Sequence, residues 1–363
     1  MDKTGIIAFL SAKYEFFEFS PACIGVILNT FHLIILTRKS MRHTSINVVL
    51  IGISMCDLLN MLYLIYIRLF NWINSDPECE NYVTYTQCVI TFVTLGIKEV
   101  TRRLSTWLGV LLAVIRLLII RSSINPKFNH ISKQAFGIQV SMVFLALSVL
   151  VSSIYFGRIS IEESPLRFMP LEHCKNYPVN YSEPTYGFSF GKFLFIEEDS
   201  AAKLYLGVDG VFKVLAAVLL PILTIFLIIE LRFARQKITV SNLRNPTESS
   251  KFDNTTMLVV LMTMTFIIAD GPIGIAGILQ GIFMAKEMFD EMMTAVLLLS
   301  ILDIFVTFNS SIHCILCLFV SSPYRETVKS LFFCREENPN TIFKTSRISG
   351  SGVSNAARQQ IPN

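Results

Sequence analysis

The sequence predicts an all-α membrane protein, a seven-transmembrane helix bundle. Three observations predict it. Of 363 residues, 52% are hydrophobic and 16% charged, where a soluble domain carries about 25% charged residues. Apolar runs of roughly 20 residues, the length that crosses a hydrocarbon core, recur along the chain. The connections between these runs alternate between basic and acidic, which threads the chain through a bilayer in one sense.

The runs place spans at 20–37, 47–70, 88–120, 134–156, 204–229, 256–284 and 293–320. Arg38, Lys39 and Arg42 follow the first span, and Arg121, Lys127 and Lys133 the third, with no acid among them. After the fifth, Arg232, Arg235, Lys237, Arg244 and Lys251 outnumber Glu248 and Asp253. The other side is acidic, with Asp76, Glu78 and Glu80 after the second span and Glu287, Asp290 and Glu291 after the sixth. Excess Lys and Arg marks the cytoplasmic side, so the amino terminus is expected outside and the carboxyl terminus inside a plasma membrane. The first 20 residues include Lys3, Lys13, Glu15 and Glu18 and do not read as a cleavable signal. The domains expected are an extracellular segment at 1–19, the bundle at 20–320, an amphipathic stretch at 321–334 and a disordered cytoplasmic tail at 335–363, rich in Ser, Asn, Thr and Gly.

The first span offers Asn29, one helical turn after Gly25, and the second carries Asp57. A carboxylate at membrane depth must be neutral or bound to something. Asn309 in the seventh span and Ser105 in the third recur at a comparable depth. Together these four are expected to form a polar cluster with water or a sodium ion near Asp57 and Ser105. Plain interhelical hydrogen bonding, about 1 kcal/mol each, is the alternative.

The third span holds Lys98, Glu99, Arg102, Arg103 and Arg116. Helical periodicity puts Lys98, Arg102, Ser105 and Arg116 on one face. Lys98 and Arg102 are candidate ligand-binding residues in an outward cavity; the alternative is that they pair with acids of neighbouring helices or snorkel upward. Glu99 and Arg103 lie on another face, spaced to pair with each other. Glu99 is counted with the ligand-binding candidates, as are Asp270 in the sixth span and Asp303 in the seventh. Two acids and two bases suggest a site, or a latch that a ligand breaks. If Lys98 neutralises Asp303, a charge swap of the two should restore part of what either single change removes.

The fourth span carries little beyond apolar bulk. The outer loop 157–203 follows it, with Cys174 and the glycosylation acceptor Asn180-Tyr-Ser182. Pro221 in the fifth span and Pro272 in the sixth each remove a backbone donor and are expected to kink their helices. Eight cysteines are present. No CxxC stands near a histidine, and Cys314 and Cys317 sit inside a span without further ligands, so no metal site is read. No nucleophile, base and orienting group stand together, so no enzyme is predicted. No nucleic-acid partner is predicted either. A transporter would carry internal repeats, and none is evident.

The order and spacing of these residues resemble the rhodopsin-like G-protein-coupled receptors along all seven spans. Gly25 with Asn29, Asn47 with Asp57, Ser105 with Arg116, Pro221, and Phe266 with Pro272 carry the resemblance. The departures are specific. Ile115 stands where an acid usually precedes the arginine, Leu117 where an aromatic follows it, Asp270 at a tryptophan position, and Asn309-Ser-Ser-Ile-His313 where Asn-Pro-x-x-Tyr is usual. Three stretches, 103–109, 269–274 and above all 309–325, resemble the nematode serpentine receptor class W, which is similar to receptors for FMRFamide-type neuropeptides.

The resemblance implies a receptor for an extracellular ligand that activates a heterotrimeric G protein. A neuropeptide is the first expectation, and a small environmental molecule sensed by a chemosensory receptor the second. Arg116 would engage the G protein when the sixth helix swings about Pro272. Asn29, Asp57, Ser105, Phe266, Pro272 and Asn309 would transmit the change. Cys88 would pair with Cys174, with Cys79 as a competing partner. Residues 322–333 would form a short amphipathic helix eight on the inner membrane surface, with Cys334 palmitoylated or a free thiol.

Overall fold

The computed structural model describes residues 3–74, 82–122, 130–170, 178, 181–192, 198–241 and 246–332. The elements run α1 (Lys3–Leu36), α2 (Ser45–Asn74), α3 (Tyr85–Ser122), α4 (Gln134–Phe156), β1 (Ile159–Glu163), β2 (Tyr186–Phe190), α5 (Glu198–Ser241), α6 (Pro246–Ala285), α7 (Phe289–Val320) and α8 (Ser322–Phe332). Among the described residues, seven helices are long and apolar enough to cross a membrane. A helix satisfies its own backbone groups, which lipid cannot do. The apolar stretches agree with the expected spans to within a few residues at most boundaries, and α6 runs through the whole of the expected sixth span. Helix α1 continues through the predicted leading segment to Lys3.

Helix α3 is the axis of the bundle. Two thirds of its apolar window is buried (67%), against 11–44% in the other six. The largest apolar core joins Leu104, Leu108, Leu111, Leu112 and Ile115 of α3 to Ile35 and Leu36 of α1, Val49 and Ile53 of α2, Cys317 of α7 and Tyr324 of α8. A second cluster sets Val110 and Ala113 against Ala216 and Leu220 of α5 and Phe266 of α6. Pro221 and Pro272 lie inside α5 and α6 as expected.

At one end, β1 and β2 form an antiparallel pair with Ile161 opposite Phe188. This pair gives the expected outer loop 157–203 a short two-stranded sheet. Alternation of apolar and polar residues in Ile159–Glu163 and Tyr186–Phe190 is a strand signal of period two. The sheet rests on the start of α3, where the Tyr186 amide donates to Val83 O at 3.0 Å. Tyr186 meets Tyr85 edge-on, and Phe188 packs on Phe92. We call this the sheet end. At the other end, Asn47 Nδ2 donates to Met41 O at 2.6 Å, and an isolated bridge ties Thr44 to Lys133.

Helices α5 and α6 approach closely through glycine. A Cβ on Gly274 would lie 2.9 Å from both Lys213 Cβ and the Val214 backbone nitrogen. Backbone cannot step aside as a side chain can. Gly274→Val is therefore expected to force the two helices apart and cost about 1–3 kcal/mol, read as a lower Tm of the purified protein.

Candidate functional site

Three polar constellations lie along α3 between the sheet end and α8. The first lines a cavity with Glu18 of α1, Asn60 and Met61 of α2, Lys98 and Arg102 of α3, and Asp303 and Thr307 of α7. The Arg102 guanidinium pairs with the Asp303 carboxylate. Lys98 Nζ lies 3.9 Å from the other Asp303 oxygen and 5.1 Å from the centre of the Tyr63 ring. Asp303 is thus shared by both bases, and Arg102 is the stronger partner because its Nη2 donates a hydrogen bond to Asp303 Oδ1 while Lys98 stands 3.9 Å away. On the rim, Glu18 is paired with Arg68 at 2.9 Å. The expected balance of two acids against two bases is corrected at Asp270. It is buried and takes a hydroxyl contact from Thr106 at 3.3 Å. Among the described residues no base lies within ion-pair distance of it.

Glu99 does not line this cavity. It accepts a hydrogen bond from Tyr205 of α5 at 3.1 Å. The expected Glu99–Arg103 pair is replaced by a larger assembly, the second constellation. Arg103 is 2% exposed and turns to α4 and α5. Its Nε and one Nη2 hydrogen reach Asp209 Oδ1 at 2.8 and 2.5 Å. Its two Nη1 hydrogens reach Ser148 O and Ser152 Oγ, both at 2.9 Å. The remaining Nη2 hydrogen reaches the Tyr205 hydroxyl at 3.3 Å. All five N–H donors are thus engaged, on four acceptor atoms, the full donor capacity of a guanidinium. Lys213 holds the other Asp209 oxygen at 2.6 Å. Asp209 out-competes Glu99 because it offers Arg103 a carboxylate at the helix interface and leaves Glu99 to Tyr205.

The third constellation sits deeper. Ser105 Oγ donates to Asp57 Oδ1 at 2.8 Å, as the sequence suggested. His313 Nδ1 lies 3.2 Å from Asp57 Oδ2. The His313 ring centre is 5.3 Å from that of Phe266. A Cβ on Gly109 would lie 3.1 Å from the Phe266 ring, so α3 and α6 touch through that glycine. Asp57, His313, Phe266 and Gly109 thus link α2, α7, α6 and α3. Asn29 Nδ2 bonds Gly25 O at 3.1 Å and Ser310 O at 3.0 Å, tying α1 to α7. Asn309 is buried, and its Oδ1 has no partner among the described residues. Pro272 follows Phe266 by six positions in α6.

Towards α8, Arg116 is buried (7% exposed), and its Nε and Nη1 find no partner among the described residues. Ile115 stands beside it in the apolar core. Tyr324 of α8 is buried and bonds His32 Nδ1 at 2.8 Å, with Cys314 Sγ at 3.5 Å. This pins α8 to α1 and α7. Tyr324→Phe is expected to leave the His32 nitrogen buried and unpaired, at about 1–3 kcal/mol. A lower Tm with retained surface expression would check it.

Cys88 is a buried free thiol that donates to Tyr186 O at 3.3 Å. Its expected partners Cys174 and Cys79 lie outside the described residues, as do Asn180 and Cys334. The spacing of charges missed Asp209, Lys213, Tyr205, His32, His313 and Tyr324. Asp209 and Lys213 stand one turn apart inside an apolar span, a signal that marks a paired or functional site.

Comparison with known proteins follows the same lines. The profile of the family described as serpentine type 7TM GPCR chemoreceptor Srw matches residues 16–335. The G-protein coupled receptor dmsr-1 of Caenorhabditis elegans is 24% identical over 229 residues, covering 61% of this chain and 44% of that receptor. The chain thus spans less than half the length of the curated relative it matches.

Proposed function

This chain belongs to the serpentine seven-helix receptor family Srw, and we propose that within it the protein is a receptor for an extracellular, basic peptide of the FMRFamide type. It is a multi-pass membrane protein of a G-protein-coupled receptor family. The proposal sets the sheet end and the amino terminus outside, and α8 and the carboxyl terminus in the cytoplasm. The basic loops after the first, third and fifth spans support that orientation.

The observation that carries the peptide reading is the shared carboxylate of Asp303, held by Arg102 with Lys98 at its side. A guanidinium from the ligand that binds Asp303 releases Arg102. An acid without an ion-pair partner among the described residues that can receive it is Asp270, which already meets Thr106, one turn along α3 from Arg102. That transfer moves the restraint from α7 to α6, two residues before Pro272. The ligand then shifts the population by its preference for the transferred state. Movement of α6 passes through Phe266 to His313 and Asp57, and frees the face of Arg116 for a heterotrimeric G protein.

The oxygens of Asp57 and Ser105 suit a hard cation such as sodium. His313 Nδ1 stands 3.2 Å from the other oxygen of the same carboxylate, so a sodium ion has to share Asp57 with that ring. A glycan on Asn180 and a lipid on Cys334 complete the proposal.

The test is a screen of amidated neuropeptides on cells expressing the chain, read by calcium and cyclic AMP. A response to peptides with a penultimate arginine, lost in Asp303→Asn, is the expected result. Silence across a broad library with surface expression confirmed would overturn it. The family description as chemoreceptors favours a second reading, a small environmental molecule. Expression in ciliated sensory endings, and responses to such molecules instead of peptides, would establish that reading.

A further inference from the structure

Arg116 poses a problem that the ligand cavity does not solve. Its guanidinium is more than nine-tenths buried. No acid pairs with it among the described residues, and two of its nitrogens lack acceptors. The residue before it is Ile115, buried in the apolar core. An uncompensated charge in such surroundings costs several kcal/mol.

A cavity of about 20 Å³ opens beside Arg116, where a single water needs roughly 10–15 Å³. It is walled by Leu112, Ala113, Leu220, Thr263 and Phe266. Thr224 donates its one proton to Leu220 O at 2.8 Å. Thr263, at 2.7 Å from Thr224, must therefore donate to it. The threonine pair is saturated as a donor, and the free donors at the cavity are those of Arg116. A water there would accept one bond but leave the charge uncompensated. A phosphate or a lipid headgroup is too large for the space.

We propose that this cavity binds a small inorganic monoanion, chloride in the cell, as the counter-ion of Arg116 in the resting bundle. The anion stands in for the acid that Ile115 does not supply. It ties α3 to the α5–α6 wall, and it must leave before the guanidinium can serve another partner. Binding itself is independent of the proposed G-protein role. Its effect on signalling rests on that role.

The experiment measures the Tm of the purified full chain in nanodiscs at constant sodium, with chloride replaced stepwise by gluconate. Chloride at tenfold its Kd is expected to raise Tm by about 2–4 °C, with bromide equivalent and gluconate inert. Arg116→Gln should remove the dependence. A flat wild-type profile, or the same rise in Arg116→Gln, would overturn the proposal. Because Arg116→Gln could disturb folding, chloride-35 NMR on the wild type gives a second measurement. Receptor-dependent line broadening that bromide competes away is expected, and Ala113→Leu, which fills the cavity and keeps Arg116, should abolish it. No broadening, or broadening unchanged by Ala113→Leu, overturns the assignment. If the anion effect on Tm holds while basal G-protein signalling is indifferent to intracellular chloride, the site stands and the coupling role of Arg116 falls.

Discussion

Asp209→Leu is expected to destabilise the bundle by about 3–5 kcal/mol, the cost of stranding buried charge by removal of its partner. For a chain of this size that is a fall in Tm of about 4–7 °C, with a matching loss of surface expression. The substitution leaves two cations, Arg103 and Lys213, facing each other where one carboxylate now serves both. Charge counting ranks the neighbours. Arg103→Leu removes five hydrogen bonds but leaves Asp209 neutralised by Lys213, so it should cost less than Asp209→Leu. Lys213→Met leaves Asp209 held by the Nε and Nη2 of Arg103, so it should cost least, about 1 kcal/mol. The double variant Arg103→Leu with Lys213→Met strands the carboxylate and should again be severe. Equal Tm losses for Lys213→Met and Asp209→Leu would show that hydrogen-bond geometry, and not charge balance, governs this interface.

How much of this was legible in the sequence differs by residue. Span positions follow from apolar length alone, because lipid forces each run into a helix. Contacts between helices at matched depth, such as Ser105 of α3 with Asp57 of α2, were legible because depth along neighbouring spans is set by bilayer thickness. Partner choice was not. Glu99 and Arg103 have ideal spacing, yet an exposed pair of that kind is worth only about 0.3–0.5 kcal/mol. A buried carboxylate on another helix offers more, and only tertiary packing reveals that Asp209 is there. Asp270 and Asp303 were equally plausible partners for Arg102 by depth. Rotation of α6 and α7 about their own axes decides between them, and no linear pattern records that rotation. His313 was read as a departure from a motif, when its place beside Asp57 gives that departure a physical role.

Breaking the Arg102–Asp303 pair is expected to raise basal signalling about five- to thirtyfold, the effect of about 1–2 kcal/mol on a two-state equilibrium. The pair bridges α3 and α7 in a half-shielded cavity, with side chains 11% and 19% exposed, so its coupling exceeds that of a surface ion pair. Arg102→Gln leaves Asp303 to Lys98, which sits at 3.9 Å and can close part of the gap. Asp303→Asn leaves both bases without their carboxylate and should give the larger increase. Lys98→Gln leaves the stronger pair intact and should change basal output less than twofold. The reciprocal exchange of Arg102→Asp with Asp303→Arg rebuilds a contact between the same two helices and should return basal output towards the wild type. Exchange of Lys98→Asp with Asp303→Lys should recover less, because the longer contact has less to restore. Basal cyclic AMP or calcium, normalised to receptor at the cell surface, measures each. A reciprocal exchange at 102 and 303 no better than its single components would sink the latch, and with it the transfer of Arg102 from Asp303 to Asp270.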